Sequence, residues 1–131
     1  MKDPRRFEDI FAAFGPVHIR RMFGGQGLFA GEVMIGLVAA DDTIFLKTDA
    51  QSRAAYVAEG SGPYLFHSKR AHGAIATSYY EVPERLYDEP EEFAEWARRA
   101  YAIAERSDAV QRKRRLTSRK SSARRPPKRL S

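Results

Sequence analysis

The stretch Arg20-Arg21-Met22-Phe23-Gly24-Gly25-Gln26-Gly27-Leu28-Phe29 constrains the fold more than any other, because an apolar strand breaks into three glycines within four residues and then resumes. Glycine reaches positive φ without steric cost, so the spacing predicts a tight reversal or a close backbone approach between two strands, with Gly24 or Gly25 at positive φ. A phosphate-cradling loop would couple such glycines to the start of a helix. Here Leu28-Phe29-Ala30 reads as strand and no Lys-Ser or Lys-Thr follows, so a strand connection is the better reading. Arg20 and Arg21 beside this turn are candidate contacts for an anionic group on a partner.

Around this marker the hydrophobic period alternates between helix and strand. Asp3-Pro4 signals a helix start, Phe7, Ile10, Phe11 and Phe14 form an i, i+3, i+4, i+7 stripe, and Gly15-Pro16 stops it. Such a stripe is the ordinary mark of a face packed on a sheet, and it outweighs a cofactor-stacking role for the phenylalanines. Val17 to Phe23, Leu28 to Ala30, Val33 to Ala39 and Thr43 to Lys47 read as strands of a meander. Gly31-Glu32 suits a type II′ turn, and Asp41-Asp42 provides the next reversal. Val33 to Ala39 is apolar on both faces apart from Gly36, as expected of a central strand.

The period then switches. Thr48 or Asp49 can cap a helix over 50–59, with Thr48 and Gln51 at capping-box spacing. Tyr64 to Phe66 is a short strand, 67–75 a polar loop, and Ala76 to Val82 a strand ended by Pro83. From Pro90 a last helix presents Phe93, Trp96, Ala97, Ala100, Tyr101 and Ala104 as its apolar stripe, and Ser107-Asp108 is the expected end of the globular unit. The elements therefore read as α+β, a mainly antiparallel sheet packed by an N-terminal, a middle and a C-terminal helix. The expected division is 1–107 for this domain and 108–131 for a tail.

Charge separates the two parts. Residues 111–131 hold ten basic and no acidic residues, leaving thirteen basic against seventeen acidic residues in 1–110, a net −4 within an overall +6. The basic residues are Arg112, Lys113, Arg114, Arg115, Arg119, Lys120, Arg124, Arg125, Lys128 and Arg129. So few apolar residues accompany them that the tail is expected to be disordered when free. Its charge can displace counterions from nucleic acid in a salt-dependent, sequence-independent way, although a purely solubilising terminus has the same composition.

Other chemistry finds little support. The sequence has no cysteine, hence no disulfide, thiolate ligand or cysteine nucleophile, which fits a reducing compartment and an expected cytoplasmic location. No apolar run reaches the roughly 20 residues of a membrane span, so no membrane partner is expected. His67 and His72 lack the i, i+4 spacing that puts two imidazoles on one helix face, and read as solvated loop histidines, while His18 reads as a packed side chain. No G-x-S-x-G or S-x-x-K pattern is present, and Glu89, Glu91, Glu92 and Glu95 suit a helix N-terminus better than paired acid–base work. No catalytic residue, metal ligand or cofactor is expected.

Four pieces in order carry a family resemblance: Arg21-Met22-Phe23-Gly24-Gly25-Gln26-Gly27, Leu46-Lys47-Thr48-Asp49, Tyr79-Tyr80-Glu81-Val82-Pro83, and the helix Phe93 to Ala100. Together they resemble the N-terminal domain of the TfoX/Sxy competence-regulator family over about residues 7 to 106, with Arg21, Met22, Phe23, Gly24, Gly25, Gly27, Tyr80 and Pro83 as its motif positions. The resemblance implies a compact two-layer α+β domain in a bacterial cytoplasmic protein, with a regulatory or protein-interaction role and no established catalytic activity. Full-length members are associated with regulating DNA uptake and carry a second, helical domain, where this sequence has the basic tail. The expectation is thus a non-enzymatic regulatory domain with an unidentified protein partner, its open sheet compatible with a homodimer. The alternative is a nucleic-acid-binding accessory protein acting through the tail.

Overall fold

The computed structural model describes residues 9–22, 25–68 and 73–124, with backbone alone for Met22, His67, Ser68 and residues 110–124. Six strands form one antiparallel sheet in the order β1-β2-β3-β4-β6-β5. They are β1 (His18–Met22), β2 (Gly25–Ala30), β3 (Val33–Val38), β4 (Ile44–Lys47), β5 (Pro63–Ser68) and β6 (Gly73–Glu81). Two helices, α1 (Arg53–Ala58) and α2 (Pro90–Arg124), and a 3-10 turn at Glu84–Asp88 complete the described elements.

The hairpins follow from local chemistry. Ala30 pairs with Val33, so β2 and β3 are joined by two residues, and positive φ at Gly31 but not at Glu32 fits the expected II′ turn rather than I′. Asp42 takes φ 70°, and the Thr43 amide donates to Asp41 Oδ1 at 3.2 Å, which closes the next reversal. Register slips between Leu28 and Phe29, where β3 inserts Ile35 as a bulge that turns this side chain into the core.

Burial alternates along β4, with Ile44 and Leu46 inside and Phe45 and Lys47 half-buried. Against the inner face α2 lays Phe93, Ala97, Ala100 and Ala104, all buried and spaced four, three and four apart. Three alanines in that row let the helix approach the strands closely. Leu28, Ile35, Val38, Tyr56, Val82 and Leu86 complete the core. By register Leu37 and Phe45 share the opposite face of the sheet, where Phe45 meets Tyr64 edge-on at 5.2 Å.

Three expectations are corrected, and a fourth is described only in part. Of the expected leading helix, Asp9 and Ile10 are helical, residues 11–14 form turns closed by Gly15 N–H to Phe11 O at 2.8 Å, and residues 1–8 lie outside the described residues. Ile10 and Phe11 are nonetheless buried, as the stripe required. The middle helix spans six residues rather than ten, with Ser52 at its N-cap and residues 50–52 in a turn. That turn is held by a reciprocal pair in place of the expected Thr48 and Gln51, the Ser52 amide donating to Asp49 Oδ1 at 2.7 Å and the Asp49 amide to Ser52 Oγ at 3.0 Å. Strands β5 and β6 run on into the expected polar loop, so His67 lies on a strand paired with Ala74.

Finally, α2 continues to Arg124, so 108–124 is helical where composition suggested disorder. Neither glycine nor proline occurs between Pro90 and Pro126, and Ala, Arg, Lys and Gln are good helix formers. Residues 125–131 lie outside the described residues. No helix among the described residues is long and apolar enough to cross a membrane.

Candidate binding site

The glycine stretch forms a strand connection. Met22 pairs with Gly25, leaving 23 and 24 to join β1 and β2, and the chain resumes as strand rather than helix. Phe23 and Gly24, the latter one of the two glycines expected at positive φ, lie outside the described residues. Gly27 is buried in β2 opposite Arg20. The Arg20 guanidinium lies over the Phe29 ring, 4.5 Å from its centroid, and reaches Glu32 at 3.9 Å. Arg21 is exposed.

The other motif positions serve the fold. Tyr80 pairs with Leu46, meets the Tyr56 ring edge-on at 6.0 Å and lies under the Arg53 guanidinium at 5.8 Å. Pro83 is buried and accepts the Leu86 amide at 3.0 Å, which begins the 3-10 turn. Of the tail positions, Arg112, Lys113, Arg114, Arg115, Arg119, Lys120 and Arg124 lie on the helical backbone of α2, and Arg125, Lys128 and Arg129 lie outside the described residues. His72 also lies outside them, so the expected His67 to His72 loop is described only at its strand end. Among the described residues no group of three His, Cys, Asp or Glu is placed to hold a metal.

Two features were not legible in the sequence. One is a cavity of about 200 Å³ between α1 and α2, lined by Lys47, Ser52, Tyr56, Glu95, Trp96 and Arg99 together with two alanines. Its walls are set by packing. The Trp96 ring meets Tyr56 edge-on at 4.7 Å, and Arg106 reaches Asp49 Oδ2 at 3.3 Å, tying the cap of α1 to α2. The Ser52 backbone amide, helped by its hydroxyl and by Arg106, holds the Asp49 carboxyl below its ordinary range. Burial pushes the Tyr56 phenol up. Lys47 donates to Ser78 Oγ at 2.8 Å with its ammonium 5.2 Å from the Tyr79 ring centroid, and burial followed by repulsion from Arg53 lowers its pKa.

The second feature is the outer end of the β5–β6 ribbon. Leu65, Phe66 and Ile75 are 47, 46 and 44 % exposed, and Phe66 pairs with Ile75. Consecutive strand residues point to opposite faces, so Leu65 and Phe66 leave both faces of the ribbon apolar. The remaining ionic cluster is structural. Arg85 binds Glu59 at 2.7 Å and Glu92 at 2.9 Å, joining the end of α1, the 3-10 turn and the start of α2, and it holds both carboxyls below their usual range.

Comparison with curated proteins returns no match. The TfoX N-terminal domain family matches residues 9–104, from the first described turn to the last buried alanine of α2. With most of its length matched and the α+β sheet in place, this chain belongs to the TfoX N-terminal domain family.

Proposed function

We propose that the chain is a non-enzymatic regulatory domain that works by protein–protein contact, with β5 as its contact edge. The observation that carries this reading is the difference between the two edges of the sheet. On β1, Arg20 and Arg21 stand in mid-strand, the kind of charge that blunts edge-to-edge pairing. On β5 no residue from Pro63 to Ser68 is Asp, Glu, Lys or Arg, and among the described residues no strand pairs with its outer edge, beside which Leu65 and Phe66 are exposed. An unguarded edge with apolar flanks accepts an added strand, whose main-chain hydrogen bonds give affinity while side chains set specificity.

A second copy of the chain supplies such a strand. Two β5 edges meeting antiparallel about a twofold axis continue the sheet and cover Leu65 and Phe66 of each copy with those of the other. Competence-related regulation is the process that the family resemblance suggests for such a domain.

Sedimentation of the full chain from micromolar to submillimolar concentration tests the reading. The chain is expected to pass from monomer to dimer, and Phe66→Lys to weaken the association by roughly ten-fold or more, because it charges the edge. Since Phe66 is half exposed, the variant is expected to keep the melting temperature of the parent. A chain that stays monomeric throughout, or a variant that dimerises equally well, contradicts the proposal.

A second reading is favoured by the basic extension of α2, which carries seven Lys and Arg residues between 112 and 124 on helical backbone. It is non-specific nucleic-acid binding through that extension, with affinity falling steeply as salt rises. Mobility shifts of the full chain with duplex DNA and single-stranded RNA, with these seven residues intact or replaced by glutamine, decide it. No shift at low salt, or equal shifts for both proteins, excludes it.

A further inference from the structure

We infer that the cleft between α1 and α2 is a binding site for a small anionic ligand bearing a flat ring, of the size and chemistry of an aryl phosphate or aryl carboxylate. Lys47 and Arg99 would hold its acidic group, and Trp96 and Tyr56 would receive its ring. This goes beyond the contact reading, since the cleft lies in the helical layer and does not involve β5.

The first support is unbalanced charge. Arg20, Arg85 and Arg106 each reach a carboxylate, whereas among the described residues Lys47, Arg53 and Arg99 are ion-paired with none. Arg53 instead donates through Nε to Thr48 Oγ1 at 3.0 Å and stands near enough to Lys47 to repel it. The carboxylates nearby, Glu95, Asp49 and Asp108, are outnumbered by the four cations Lys47, Arg53, Arg99 and Arg106. Glu95 lines the cleft, Asp49 is engaged by Ser52 and Arg106, and Asp108 acts on Lys47 without reaching ion-pair distance. A half-buried ammonium beside other cations carries a desolvation cost that an incoming anion offsets, and charge-assisted hydrogen bonds are the strong ones.

The second support is shape. The cavity of about 200 Å³ is too small for a peptide but accommodates one ring with its substituent, and Trp96 and Tyr56, set edge-on to one another, provide an aromatic wall. Burial of Tyr56 within the core cluster fixes that wall before any ligand arrives. The ring and the acidic group are therefore recognised by separate parts of one cleft.

Trp96 is the only tryptophan in the chain, so its emission reports on the cleft directly. Titration of the full chain with phenyl phosphate and with benzoate is expected to give a saturable change for at least one of them, and the stronger of the two identifies the acidic group. Inorganic phosphate and phenol are expected to bind at least about ten-fold more weakly, each lacking one half of the recognised structure. Arg99→Gln, at an exposed position, and Lys47→Met are each expected to weaken binding by about ten-fold, with the melting temperature of Arg99→Gln unchanged. No saturable change with either aryl anion overturns the inference. So does phenol binding as tightly as phenyl phosphate, inorganic phosphate binding as tightly, or an affinity that Arg99→Gln leaves unaltered.

Discussion

Replacing Gly36 by alanine is expected to destabilise the domain by about 3 kcal/mol or more, enough to lower its melting temperature by roughly 12–24 °C. The reason is backbone proximity. A Cβ on Gly36 would run into the carbonyl oxygen of Phe45, and the nearest side-chain atom is Leu46 Cδ2 at 3.4 Å. A backbone carbonyl in the middle of a sheet cannot swing aside as a flexible side chain can. Gly36 pairs with Leu46 on one side and Leu28 on the other, so relief would have to come from parting β3 and β4 under the most deeply buried part of the core. Gly31→Ala makes the comparison sharp. Gly31 has φ 64° but open space around its Cα, so alanine there costs only the left-handed backbone penalty of about 1–2 kcal/mol. Thermal unfolding of both variants is expected to rank Gly36→Ala as the more damaging, and the reverse order would refute the close-approach account of β3.

The second large effect is expected at Phe93, whose truncation to alanine should cost roughly 3–5 kcal/mol in denaturant unfolding. Phe93 is fully buried at the start of α2, edge-on to Phe11 at 5.0 Å and within 6.4 Å of Tyr87. It therefore joins three segments that no strand pairing connects: the leading turn, the 3-10 turn and the last helix. The Tyr87 hydroxyl in turn accepts the Ile44 amide at 3.0 Å, which extends the effect to β4. A loss well under this range would mean that the leading segment is held by other contacts. Trp96→Phe, at a half-buried site on the next turn, is expected to cost much less and serves as the control.

The sheet was legible because its signals are local. Glycines at 24, 25 and 27, Gly31-Glu32 and Asp41-Asp42 mark three reversals, and between them the period of two marks four strands. Where the reading slipped, two local solutions competed. Thr48-x-x-Gln51 and Asp49-x-x-Ser52 are both capping patterns one residue apart, and burial decides between them, since Thr48 is occupied in donating to Ser78 O at 2.7 Å. The ribbon was cut short in the sequence because Gly73, Ala74 and Ile75 lack a polar alternation, and pairing with Ser68, His67 and Phe66 is what makes them strand. The cleft was not legible at all. Lys47, Ser52 and Tyr56 meet Trp96 and Arg99 only after α2 has folded back over β4, and in sequence Trp96 is one more member of an apolar stripe. Leu46-Lys47-Thr48-Asp49 was visible as a family segment, but its lysine carried no chemical signal until its neighbours were in place.

The proposed contact mode rests on the two edges of the sheet. In that proposal, Arg20 and Arg21 guard β1 while β5 holds no Asp, Glu, Lys or Arg, so a partner strand would add at β5 alone. Hydrogen exchange of the strand amides, measured on the full chain at low and at high protein concentration, tests this most directly. The account predicts that amides of β5 gain protection at high concentration while those of β1 keep the same rates. Unchanged exchange along β5, or a gain confined to β1, would contradict it.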